Sequence, residues 1–181
     1  IVDWVLVEVR NGGTPGTIVR SQAALLRKDG SVVAPNGTYP LRMAVPAGNY
    51  HLSVRHRNHL GVMTANPVAL HATTTPIDLS APASATFGTD GRINISGTMA
   101  MWSGDVDHNS VLRYTGSPND RDPILTAIGG SVPTATVSGY HSADTNMDGV
   151  VRYTGLANDR EIILTNIGGS TPTAIRSAQL P

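Results

Sequence analysis

Two stretches of the chain place oxygen-bearing side chains at alternate positions, Asp105, Asp107 and Asn109 in the first and Asp144, Asn146 and Asp148 in the second. Side chains at positions 1, 3 and 5 of a tight loop converge on a hard cation, and the backbone carbonyl at position 7, here Val111 or Val150, joins them. Gly149 stands at position 6 of the second loop, where the turn is sharpest, and Ser110 takes that place in the first. An unbroken count puts Gly116 or Gly155 at position 12, where a carboxylate is needed. Inserting six residues after position 8 (113–118 and 152–157) brings Asn119 and Asn158 to position 9 and Asp122 and Glu161 to position 12. Each loop then offers three carboxylates and one Asn, a donor set for Ca²⁺, and two sites are expected.

The two stretches are copies. They align without a gap at an offset of 39 residues, and 19 of the 32 positions from Asp105 onward are identical. In each, N-D-R-[DE] puts an N-cap Asn three residues before an acid, a short apolar run follows (ILTAI, IILTNI), and a Gly pair ends it. That is the grammar of a helix of about two turns. Asp120 and Asp159 are second-choice ligands, expected to serve the helix N-terminus electrostatically. Asx-rich turns occur without any metal, but the same downstream acid in both copies favours calcium over turn chemistry alone.

Paired loops of this kind, each followed by N-x-x-[DE] and one short helix, resemble the dockerin-type calcium repeats of secreted bacterial proteins, over roughly residues 100–170. The resemblance implies ligands at Asp105, Asp107, Asn109, Val111 and Asp122, and at Asp144, Asn146, Asp148, Val150 and Glu161. Both loops carry an R-Y-T-G insertion that dockerins lack. A β-domain followed by such repeats is also similar to the C-terminal parts of large bacterial surface proteins.

At 181 residues the chain suits two small domains, divided here as 1–98 and 99–181. Net charge is zero, which argues against a nucleic-acid partner. Eight of the 13 acids lie between Asp105 and Glu161, so two Ca²⁺ would take the second half from −3 to +1. There is no Cys, hence neither disulfide nor thiolate chemistry, and no run approaches a membrane span. The chain starts at Ile1 without an initiator Met, as a processed chain or a fragment would. Millimolar extracellular calcium would keep weak loops filled, so an exported, extracellular or cell-surface bacterial protein is expected.

Residues 1–98 read as seven or eight short strands with turn signals every 8–12 residues, an Ig-like or prealbumin-like β-sandwich ahead of the calcium module; the whole is mainly β with two short helices. IVDWVLVEVR is apolar on both faces, as for a strand covered on both sides by its own domain or a partner. Leu41, Met43 and Val45 alternate as a strand would, as do Tyr50, Leu52 and Val54, and His51, opposite Tyr50, is expected to be exposed. RHRNH, residues 55–59, could use His56 and His59 as metal ligands, but without a third ligand nearby it reads as a strand end entering a solvated turn. Asn36 and Asn94 sit in glycosylation sequons.

No catalytic motif emerges: there is no G-x-S-x-G, H-E-x-x-H, phosphate loop or nucleophilic Cys. The expectation is a non-catalytic, calcium-stabilised structural protein that self-associates into a polymer or filament by strand-edge pairing, with strand donation by residues 1–10 as one route. The alternative is a dockerin-like or glycan-binding module of a larger secreted protein that engages a partner surface protein or a glycan. A third reading is an accessory domain of a larger secreted hydrolase.

Overall fold

The chain is mainly β, built from antiparallel pairs, and both of its short helices fall after residue 120. A computed structural model describes all 181 residues, and they divide into two units. The first comprises Ile1–His56, Gly61–Met101 and Gln179–Pro181; the second comprises Arg57–Leu60 and Trp102–Ala178. No helix is long and apolar enough to cross a membrane.

The first unit is organised on β1 (Asp3–Asn11), whose alternation sends Val5, Val7 and Val9 to one face, where all three are buried. Val5 and Val7 form a core with Ala24 of β2 (Ile18–Leu26), against which Leu26, Val32, Leu41, Met43 and Val54 pack. The sheet order is β3 (Val32–Val33), β2, β1, β4 (Gly48–His56), β5 (His59–Met63), with β6 (Val68–Leu70) also on β4. A separate ribbon joins β7 (Ile93–Ile95) to β8 (Thr98–Ala100). Leu41 and Met43 face the core as their alternation implies, yet residues 41–46 form no strand. Periodicity reports which side chains are buried; it does not report where the backbone N–H groups go. The irregular stretch before β7 is held by Arg92, whose guanidinium donates to the carbonyls of Leu79 and Ala81 (2.5 and 3.2 Å) and to that of Ser84.

β1 pairs with β2 along one edge and with β4 along the other. It is an interior strand, and this corrects the expectation that residues 1–10 could be donated to a neighbour. Removing them would take out the middle of the sheet. The unpaired edge lies elsewhere: β3 covers only Leu25 and Leu26 of β2, which leaves residues 18–24 with an outer side that no strand joins.

The second face of β1 is divided. Trp4 and Leu6 remain exposed (49% and 38%), whereas Glu8 and Arg10 are buried. Glu8 Oε2 accepts from Arg10 Nη2 (2.8 Å), Arg10 Nε (2.9 Å) and Ser53 Oγ (2.6 Å), and its Oε1 lies 3.1 Å from Arg55 Nε. Burial alone would raise the Glu8 carboxyl, but the bonds from Ser53 and Arg10 and the charges of Arg55 and Arg10 hold it below the usual carboxylate value. A depressed folded-state value contributes stability above the unfolded pKa and loses it as pH falls through the folded one. The first unit should therefore lose stability as pH drops below about 4.5, and Glu8→Gln should flatten that dependence in acid unfolding followed by tryptophan fluorescence.

His51 is buried rather than exposed: its Nδ1 lies 2.9 Å from the Thr64 carbonyl, and Phe87 meets the ring edge-on at 6.4 Å. The alternation was read correctly, but residues 64–87 cover the face that the alternation left open. RHRNH is likewise no solvated turn. His56 Nε2 pairs with Asp3 Oδ2 at 3.0 Å, both side chains being buried, and Asn58 has no exposed surface.

In the second unit the two repeats interlock. β9 (Val111–Arg113) of the first repeat pairs with β12 (Ile175–Ser177), the tail of the second. β11 (Val150–Arg152) of the second pairs with β10 (Thr136–Ser138), the tail of the first. The R-Y-T-G insertion secures the exchange, since Thr115 Oγ1 donates to the Pro172 carbonyl and Thr154 Oγ1 to that of Pro133, each at 2.8 Å. Its tyrosines take equivalent posts too: Arg121 lies over the Tyr114 ring and Arg160 over Tyr153, at 5.1 and 4.9 Å. Helices α1 (Arg121–Ala127) and α2 (Asp159–Asn166) are too short to persist alone. They are held by a shared core of Val106, Ile124, Ile128, Ala143, Val151 and Ile163.

Candidate metal centre

Each loop is a run of backbone amides turned onto its own oxygens. In the first, Asp105 accepts from Ser110 N (3.2 and 3.3 Å), Asp107 from Asn109 N (3.2 Å) and Asn109 from Val111 N (2.8 Å). In the second, Asp144 accepts from Asp148 N and Gly149 N (3.1 and 3.0 Å), Asn146 from Asp148 N (2.9 Å) and Asp148 from Val150 N (2.9 Å). Asp and Asn have exchanged places between positions 3 and 5, yet the bonding pattern is retained. Val111 and Val150 both begin strands.

The sharp turn at position 6 takes positive φ in both loops, 68° at Ser110 and 84° at Gly149. An L-residue there carries strain that Gly lacks. Ser110→Gly should raise the stability of the second unit by about 1 kcal/mol, read as a higher thermal midpoint by circular dichroism.

The position-12 acids close the helix starts. Asn119 Oδ1 accepts from Asp122 N (2.9 Å) while Asp122 Oδ2 accepts from Asn119 Nδ2 (2.8 Å); Asn158 and Glu161 do the same at 3.2 and 3.0 Å. This reciprocal capping is what N-x-x-[DE] spells. Both acids are exposed.

Asp120 stands at the N-cap of α1 and Asp159 in the first turn of α2, at the helix N-termini as expected, and their bonds add a second role. Both are fully buried, and neither bonds a helix amide. Asp120 Oδ1 accepts from Val106 N (2.7 Å) and Asp107 N (3.3 Å), and Oδ2 from Arg113 N (2.8 Å). Asp159 repeats this on Thr145 N, Asn146 N and Arg152 N (2.8, 3.3 and 2.7 Å). Each carboxylate thus ties the start of its loop to the end of the following strand. The physical reason is reach: the six inserted residues fold back, so the loop offers these oxygens more amides than the helix does.

Oxygens of Asp105, Asp107 and Asp120 lie within 4.8 Å of one another, and Asp122 is outside that group. Burial raises the Asp105 carboxyl, and it raises that of Asp120 to about 7, with the Asp107 charge adding to the effect. Burial raises Asp159 as well. Three carboxylates this close repel unless a proton or a cation intervenes. The donors are all hard oxygens, with no Cys or imidazole among them, which suits Ca²⁺ or Mg²⁺ and not zinc. These hard oxygens suit calcium, and of the residues that the spacing names, Asp105 and Asp107 come together, with Asp120 as the third. The second loop carries the equivalent residues Asp144, Asn146, Asp148, Val150, Asp159 and Glu161 in sequence, but its carboxylates do not form the same close group, and Asp148 Oδ2 pairs with Arg152 Nη1 at 2.6 Å.

Around the rest of RHRNH, Arg55 serves Glu8, and His59 Nδ1 lies 2.8 Å from Asn58 Oδ1. Asn36 is exposed in a turn and Asn94 is exposed in β7, with Oδ1 bonded to Thr38 N and Gly97 N. No protein-family model matches the chain, and no curated protein or solved structure matches it.

Proposed function

We propose that the chain is a non-catalytic, calcium-stabilised structural subunit, exported to the cell surface, whose second unit is a dockerin-like pair of calcium loops and whose first unit is a sandwich-like body that self-associates. The observation that carries the calcium reading is the buried triad of Asp105, Asp107 and Asp120, with oxygens within 4.8 Å, in a loop whose sequence pattern recurs 39 residues on. Calcium binds the ordered loops better than the unfolded chain, so the metal adds its binding free energy to the stability of the unit.

Self-association is supported by the open edge of β2. Residues 18–24 expose Ile18 and Val19 (48% and 45%) and carry one charge, Arg20. Natural edges are usually short, heavily charged or covered, and a nine-residue edge with a single charge and no covering strand is a template for another strand. The test is light scattering in calcium, before and after Val19→Lys. Large particles from the parent chain and monomers from the variant support the subunit reading. A parent chain that stays monomeric at every calcium concentration sinks it and leaves the binding module.

A further inference from the structure

We infer that Asn58 couples the two loops, so that calcium bound in one strengthens calcium binding in the other. The inference rests on the calcium reading above and adds a regulation to it. Residues Arg57–Leu60 belong to the second unit although they lie far from its other residues in sequence. Asn58 is fully buried there, and it touches the first residue of both loops. Its backbone carbonyl accepts from Gly104 N (2.8 Å) and Asp105 N (3.1 Å), where the first loop opens. Its side-chain Nδ2 donates to the carbonyls of Asp144 (2.7 Å) and Ser142 (2.9 Å), where the second opens. Asp105 and Asp144 are the paired position-1 residues, so one side chain and its own peptide group bridge equivalent points of the two repeats.

The neighbours hold this bridge on both sides. Arg57 Nη1 donates to the His141 carbonyl, Nη2 lies 3.1 Å from Met147 Sδ, and the guanidinium stacks 4.4 Å above the Tyr140 ring. Those three residues lead into or lie within the second loop. On the other side Leu60 N donates to the Trp102 carbonyl at 2.8 Å, and His59 bridges Ser103, both just ahead of the first loop. Asn58 Oδ1 is itself satisfied by His59 Nδ1 at 2.8 Å. The site therefore uses two donors and one acceptor on the shortest amide side chain. Ala offers none of these, and Asp keeps the acceptor while losing both donors. A buried bridge whose amide side chain and backbone carbonyl are all engaged cannot follow Asp144 without pulling on Asp105, and that shared displacement is what links the affinities.

The experiment is calcium titration calorimetry on the full chain. Asp148→Ala isolates the first loop and Asp107→Ala the second; the product of those two affinities, compared with the overall constant of the intact chain, defines a coupling factor. The factor should be roughly 5 or more in the parent chain, and it should fall toward 1 when the set is repeated in Asn58→Ala. Asn58→Asp provides the same comparison with packing retained. As a second readout, calcium added to the Asp107→Ala chain should shift the Asp105 amide resonance, and should cease to do so in either Asn58 variant. Two filled sites with an undiminished factor in both variants overturn the coupling alone. Independent sites in the parent chain do so too. An intact chain that takes up no calcium overturns the calcium reading, and the coupling with it.

Discussion

Chelating calcium should destabilise the second unit more than any single substitution in it. A ligand that binds only the folded state adds about 4 kcal/mol when it stands a thousandfold above its dissociation constant, and two such sites double that. Two helices of seven and eight residues, four strands of three residues and a buried acidic triad do not make a strong scaffold without a counter-charge. With EGTA, helical ellipticity should fall and amide protons of Val111–Arg113 and Val150–Arg152 should exchange freely, both reversing on calcium return. The β1–β2–β4 sheet of the first unit carries no loop ligand, and its amides should stay protected. Loss of protection in neither unit, with calcium present beforehand by metal analysis, would count against the linkage.

The second large effect is at Asp120. Asp120→Ala leaves the amides of Val106, Asp107 and Arg113 without their acceptor inside the unit, and it should cost about 3 to 5 kcal/mol even without calcium. Asp159→Ala should behave alike, because its three amide partners are the equivalent ones. The milder pair Asp120→Asn and Asp122→Asn separates architecture from ligation. Each removes one charge and keeps one acceptor oxygen. In Asp120→Asn the new NH2 also costs a backbone amide its partner, so affinity is compared on chains shown folded by circular dichroism. If the loop closes on its position-12 acid, as the spacing argues, Asp122→Asn lowers calcium affinity more. If the buried triad is the heart of the site, Asp120→Asn does. Calcium titration of both variants decides, and equal affinities to the parent in both would remove either acid from the ligand set.

What could be read from the chain beforehand was whatever is local. The Asx turns of the two loops, the bond between each Asn and the acid three residues on, and the valine alternation of β1 all depend on neighbours within a few residues. These local features are present, although the cap of α1 itself falls on Asp120 and only that of α2 on its Asn, Asn158. What escaped depends on distant segments. His51 looked outward until Thr64 and Phe87 covered it, and Asn58, the turn residue it was read to be, proves buried against Asp105 and Asp144 instead of solvated. Asp120 was read as a second-choice ligand and helix charge, and it does stand at the start of α1, but its bonds to Val106 and Arg113 follow a path across the six-residue insertion that spacing does not reveal. The insertion itself, conspicuous as R-Y-T-G in both copies, had no readable purpose. Thr115 finds its acceptor 57 residues away and Thr154 finds its own 21 residues back.

The strand exchange between repeats also sets the order in which the second unit can be completed during synthesis. β10 and β11 can close as soon as Arg152 is available, but β9 must wait for β12, more than 60 residues downstream. Until Ser177 has left the ribosome, the first loop has its acids but lacks the strand that steadies their exit. The repeat written first is therefore the one finished last, and a chain cut short before Ile175 would carry one closed loop and one open one.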